Sequence, residues 1–207
     1  MSLGSPAPLR YVALGDSYTI GTATRSVAEH WPDQLVGRLG GSAPALELVA
    51  NLGVNGYTSR DVIEVELPEL PALEPGFVTV LVGVNDIVQG VSEATYRENV
   101  TIILDDLLSR LPPSRLLVVT TPDYTVTPRG GDFGDPAQQV AEIRCFNGAI
   151  AELASQRGIG VVDIHDLSLA AASDPSLVAD DGLHPSGAQY GRWVDRIAPV
   201  VEGLVRR

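Results

Sequence analysis

The chain of 207 residues contains one cysteine, Cys145. No intrachain disulfide can form, and a cysteine-based zinc cluster is excluded. Positive charge is scarce: 14 Lys and Arg stand against 26 Asp and Glu, for a net charge of −12. Nucleic acids and anionic membranes are drawn to clustered cations, so neither is expected as a partner. Apolar runs are short, and none reaches the roughly 20 residues that a membrane-spanning helix needs. The N-terminus lacks the basic start and apolar stretch of a secretory signal, so a cytoplasmic location is expected. Residues 1–8 read as a disordered N-terminal segment. Repeats, charge runs and dividing linkers are missing, which leaves residues 9–207 as a single domain. Hydrophobic residues at 44% and charged residues at 19% suffice for one sizeable core. No glycine-rich phosphate loop follows a strand signal, so nucleotide binding has no support.

What is present alternates. Apolar runs at 11–14, 46–49, 77–82, 116–119 and 159–162 read as strands. The run at 77–82, bounded by Gly76 and Gly83, has the unbroken apolarity of a strand buried on both faces. Helical signals lie between the runs. Trp31-Pro32-Asp33 opens one helix and Gly40-Gly41 closes it. Thr58 or Ser59 caps a second, which Pro68 and Pro71 are expected to end. Ser92 caps a third, with Tyr96, Val100, Ile103, Leu107 and Leu111 on one stripe. Asp135-Pro136 opens a fourth, and Tyr190, Trp193, Val194 and Ile197 mark a last amphipathic helix. Residues 15–30 read as a polar loop or irregular helix. Residues 121–135, rich in Pro and Gly, form a long loop of the kind that is usually functional. Strands alternating with helices imply an α/β fold with a parallel sheet and helices on both faces.

Reactive side chains fall at the ends of these strands, where open α/β sheets bind ligands. Gly15-Asp16-Ser17-Tyr18 follows the first strand, the Gly53–Gly56 loop the second, and Gly83-Val84-Asn85-Asp86 the third. Asp181-Gly182-Leu183-His184-Pro185 stands before the last helix. Each segment alone is ordinary turn and cap chemistry. Together they hold the parts of a serine hydrolase. A serine hydroxyl needs a base to become a nucleophile, and a neutral imidazole at His184 can accept its proton. Asp181, three positions earlier, can meet Nδ1 and fix the tautomer. Pro185 is expected in the first turn of the last helix, holding His184 at a rigid entrance. The backbone N–H groups of Ser17 and Gly56 and the Asn85 amide are candidate donors to an oxyanion.

These motifs, spread from Gly15 to Pro185, resemble the GDSL (SGNH) hydrolase family. Gly83-x-Asn85-Asp86 with Asp181-x-x-His184 is the more specific part. Tyr18 stands where the family name has leucine, a departure that touches substrate rather than chemistry. The resemblance implies a three-layer α/β/α, flavodoxin-like fold with a five-stranded parallel sheet. It implies esterase or lipase-like hydrolysis without metal or organic cofactor. Ser17, Asp181 and His184 would form the catalytic triad, and Ser17, Gly56 and Asn85 the oxyanion hole. The Gly-x-Ser-x-Gly elbow of the other large esterase fold is absent.

The expected activity is hydrolysis of short-chain or acetyl carboxylic esters through an acyl-enzyme on Ser17. A small-molecule ester is the expected partner, and aromatic content of 5% speaks against a large lipid-facing lid. Two alternatives stay open: an acyltransferase using the same residues, and a non-catalytic small-molecule or carbohydrate-binding module. Tyr18, Tyr124 and Phe133 are candidate substrate-binding residues. Asp16 reads as turn structure, and Asp163-x-His165 as strand-end chemistry rather than a metal pair. His30 reads as a loop residue, and Asp105, Asp106 and Asp180 as solvated charge. Cys145, beside Phe146 in a helix, reads as a buried thiol.

Overall fold

The computed structural model describes residues 7–41 and 44–206. The expectation of disorder over residues 1–8 therefore falls, for its first six, outside the described residues. Strand β1 (Leu9–Gly15) leads into a four-residue helix, α1 (Ser17–Ile20), and then α2 (Trp31–Leu39) and β2 (Leu46–Asn51). A winding helical stretch holds α3 (Ser59–Asp61) and α4 (Leu70–Leu73). Next come β3 (Phe77–Leu81), α5 (Val84–Val88), α6 (Glu93–Arg110), β4 (Leu116–Val119) and α7 (Pro136–Gln156). The chain closes with β5 (Gly160–Val162), α8 (His165–Ser168) and α9 (Gly187–Val205).

The five strands pair in parallel in the order β2-β1-β3-β4-β5. This is the flavodoxin-like order, in which the chain reverses direction across the sheet between β1 and β3. All five residues of β3 and the last five of β1 are buried. Apart from Thr79, whose hydroxyl pairs with that of Tyr11, their apolarity matches strands covered on both faces by helices. On one side α2 packs against α9, and on the other α6 packs against α7. Trp31, Leu35 and Leu39 of α2 and Trp193, Ile197 and Val201 of α9 are buried. Each side chain of this size contributes about 1.5–3 kcal/mol when removed from water.

Three local expectations are corrected. The helical stretch that begins at Thr58 does not end at Pro68 and Pro71 but runs on to Leu73. A wide π turn over Val62–Glu66 intervenes, and both prolines then fall in the first turn of a new segment. A missing N–H is harmless there. The stripe of α6 is completed by Leu104 rather than Leu111, which lies just past the helix end. Cys145 is exposed, not buried. Phe146 takes the inward direction on α7 and stacks on Tyr96 at 4.3 Å, so the residue before it turns toward solvent.

Candidate active site

Each candidate residue leaves the C-terminal edge of the sheet. After β1, Asp16 caps α1 by accepting a hydrogen bond from the Tyr18 N–H at 2.9 Å. That sharp entry makes Ser17 the first helical residue. Gly15 is required before it: a Cβ there would sit 2.1 Å from the Leu81 carbonyl oxygen. Ser17 Oγ lies 2.9 Å from His184 Nε2, and His184 Nδ1 lies 2.6 Å from Asp181 Oδ2.

Asp181 closes its own turn. Its Oδ1 accepts the N–H groups of Leu183 at 2.9 Å and His184 at 3.0 Å. Partial burial pushes this carboxyl up. The bonds from the His184 ring and the two N–H groups outweigh that and hold it below the usual carboxylate range. The last helix starts later than expected. Ser186 is its cap, and Pro185 lies outside it, bridged to Val178. His184 is thus fixed by a short antiparallel bridge and the Asp181 turn instead of by a helical first turn. The long 121–135 loop braces the turn from outside, because the Arg129 N–H donates to the Gly182 carbonyl at 3.0 Å. The ring of Tyr18 supports the imidazole at a centroid distance of 5.2 Å.

Three possible oxyanion donors face the same cavity as Ser17 Oγ. As the first residue of α1, Ser17 has no intrahelical acceptor for its N–H. Gly56 sits in a turn at φ 84°, a conformation that suits glycine. Asn85 lies in the first turn of α5. Its Nδ2 donates to the Tyr57 carbonyl at 2.9 Å and faces Asp16 Oδ2 at 3.4 Å. The first contact fixes the amide, and the second is long enough to yield to a better acceptor.

The cavity measures about 240 Å³. Besides Ser17, Gly56, Asn85 and His184, it is lined by Tyr18, Asn55, Val84, Val88, Tyr124, Phe133 and Leu183. All three candidate substrate residues thus border it, with Tyr124 and Phe133 meeting edge to face at 6.1 Å. Val84, Val88 and Leu183 were not singled out in the sequence. The i, i+4 spacing of the two valines was the available signal, and it read equally well as core. Asp163 is a local anchor, accepting the Thr120 hydroxyl at 2.7 Å and the His165 N–H at 2.9 Å. His30 precedes α2 with its Nδ1 3.7 Å from Asp33. Asp105 and Asp106 are salt-bridged to Arg157 and Arg110. Among the described residues, no cluster of three or more His, Cys, Asp or Glu could hold a metal ion. None of the described helices is long and apolar enough to cross a membrane.

Two buried carboxyls lie behind Ser17. Burial raises Asp16 to about 7, opposed by the Tyr18 N–H and reinforced by Asp86. The π turn directs Glu66 inward, where its Oε2 accepts the Gly15 N–H at 2.9 Å and its Oε1 has no partner. Burial raises Glu66 to about 9, opposed by the Gly15 bond and reinforced by Asp16 and Asp61. In the folded state both groups hold protons to higher pH than in the unfolded chain. Their contribution to stability is fully present below the unfolded carboxylate values near 4. It is lost as pH rises toward about 9. The thermal midpoint is therefore expected to fall from about pH 5 to pH 9, by roughly 2–4 °C per kcal/mol. Glu66→Gln should flatten much of that fall and exceed the parent midpoint at pH 9. An unaltered decline would contradict the assignment.

Comparison with known proteins adds to the geometry. The acetylxylan esterase Axe2 from Geobacillus stearothermophilus superposes with a TM-score of 0.74 at 17% identity, covering 96% of each chain. A lipase/acylhydrolase from Enterococcus faecalis gives 0.70 at 20% identity, covering 94% of this chain and 96% of that one. The esterase EstA from Pseudoalteromonas sp. gives 0.69 at 16% identity, covering 96% and 99%. At such identities these likenesses establish the fold. No curated protein matches the chain. Residues 13–192 match the model of the GDSL-like lipase/acylhydrolase family. With nearly the whole fold inside that match, the chain belongs to this family of ester-cleaving hydrolases.

Proposed function

We propose that the chain is a serine esterase for short-chain or acetyl carboxylic esters, with Ser17, His184 and Asp181 as its triad. The carrying observation is the continuous relay from Ser17 Oγ through both imidazole nitrogens to Asp181, at 2.9 and 2.6 Å. Ser17 Oγ attacks the ester carbonyl carbon as its proton passes to His184 Nε2. Asp181 keeps the Nδ1–H in place and stabilises the imidazolium. Negative charge gathers on the former carbonyl oxygen, within reach of the Ser17 and Gly56 N–H groups and Asn85 Nδ2. The C–O bond to the alcohol then breaks, and His184 returns the proton to the leaving oxygen. Water attacks the acyl-serine by the same route, releasing the acid and restoring Ser17.

Cavity size supports a short acyl group. Drug-sized ligands occupy pockets of about 300–1,000 Å³, and this one is smaller, with Val84, Val88, Tyr124 and Phe133 as walls. An acetyl group, the acyl class in the name of Axe2, fits it. A series of p-nitrophenyl esters tests the reading. The acetate and butyrate should give the highest kcat/KM, with a steep fall toward the decanoate. Phe133→Ala should move the optimum to longer chains. A parent enzyme indifferent to chain length, or a variant with an unchanged profile, would refute this acyl pocket.

A further inference from the structure

A second cavity, about 480 Å³, shares Asn55 with the first. Ile20, Gly21, Thr22, His30, Gly53 and Val54 complete its lining. These segments follow β1 and β2, whereas the catalytic cavity draws on segments after β3 and β4 as well. Ser17 lines the first cavity and not the second, and Asn55 borders both. Both have mostly apolar walls, and they differ in the polar groups set among them. The first carries the reacting groups. The second carries a hydroxyl, an imidazole and an amide. The Thr22 hydroxyl donates to Asn55 Oδ1, which leaves the two N–H donors of the Asn55 amide for a ligand. The Cδ2–Nε2 edge of His30 lies against Gly21.

The crease between them is held rigidly. Asn51 Nδ2 donates to the Thr19 carbonyl at 2.8 Å, and the Leu52 N–H to that of Ala13 at 2.9 Å. Gly53 is pressed onto Asp16 and Ile20 so closely that a Cβ would stand 2.7 Å from the Asp16 carbonyl oxygen. Polar groups set in a preformed crease reward a ligand that matches them.

An ester diverges at its carbonyl carbon. With the carbonyl oxygen among Ser17, Gly56 and Asn85 and the acyl chain in the apolar cavity, the alcohol half must leave on the other side. We infer that the crease of Thr22, His30 and Asn55 binds the alcohol half of the substrate, and that this half is polyhydroxylated, as in an acylated sugar. The inference rests on the esterase reading above. A simple alkyl alcohol would leave the Asn55 N–H donors to water, whereas a sugar hydroxyl can accept from them beside the Thr22–Asn55 pair.

Two acetate esters of primary alcohols, 6-O-acetylglucose and ethyl acetate, test it, because both yield the same acetyl-enzyme. The alcohol departs during acylation, so the crease acts on that step alone. The parent enzyme should favour 6-O-acetylglucose in kcat/KM. Thr22→Val and, separately, Asn55→Ala should each shrink that preference by about three- to tenfold, the worth of one neutral hydrogen bond. The loss should appear mainly in KM for the sugar ester. The ratio is read because both esters use one oxyanion site, so any disturbance of neighbouring Gly56 cancels. A parent enzyme with no sugar preference, or a preference that survives both substitutions, overturns the inference while p-nitrophenyl acetate turnover upholds the esterase reading. Absence of turnover on p-nitrophenyl acetate as well would sink both.

Discussion

His184→Ala is expected to lower kcat/KM for p-nitrophenyl acetate by about 10⁴-fold or more, with the fold intact by circular dichroism. The imidazole has two tasks, and no neighbour can take over either. It receives the Ser17 proton across 2.9 Å and carries it to the leaving oxygen. Its other nitrogen is committed to Asp181 at 2.6 Å. Because the members of such a relay act as a unit, their losses are not additive. Ser17→Ala should cost about as much, and the Ser17→Ala/His184→Ala double variant should be scarcely worse than either single one. Losses that multiply in the double variant would show that the two side chains act separately.

Asn85→Ala should lower kcat by about 10²–10³-fold, or 2.7–4 kcal/mol, with a much smaller change in KM. The amide is a neutral donor, fixed by the Tyr57 carbonyl at 2.9 Å and able to release its 3.4 Å contact with Asp16 as negative charge develops. It therefore contributes more to the transition state than to the bound ester. Asn85→Asp should be more damaging still, since it sets a second carboxylate beside the developing oxyanion. A variant that raised KM with kcat unchanged would place Asn85 in ground-state binding and not in charge stabilisation.

Much of this arrangement is legible in the residues. Five short apolar runs marked all five strands, most plainly β1 and β3, which are covered on both faces and need no alternation. Caps with direct chemistry located the helix starts at Ser92 and Asp135 to the residue, and a third to Thr58 or Ser59, of which Thr58 is the cap. The site residues could be read because each carries a reactive group at a strand end or before the last helix. Features that depend on long-range fit were not legible. The π turn before Pro68 brings Glu66 to accept the N–H of Gly15, 51 positions away, a pairing that no local signal marks. Pro185 reads as a helix start, but its pairing with Val178 moves the cap to Ser186. Asp16 was read as turn structure, which it is, yet its second oxygen also faces Asn85. Cys145 shows the limit of neighbour-based burial, since one step along a helix turns a side chain by about 100°.

Ser17 should react as an activated nucleophile with a fluorophosphonate probe, which modifies only serines whose hydroxyl is already activated. Peptide mass spectrometry of the labelled enzyme should place one adduct on Ser17 and none elsewhere, with esterase activity lost in step. His184→Ala should abolish the labelling. An active, unlabelled enzyme, or an adduct on another serine, would show that Ser17 is not the activated nucleophile.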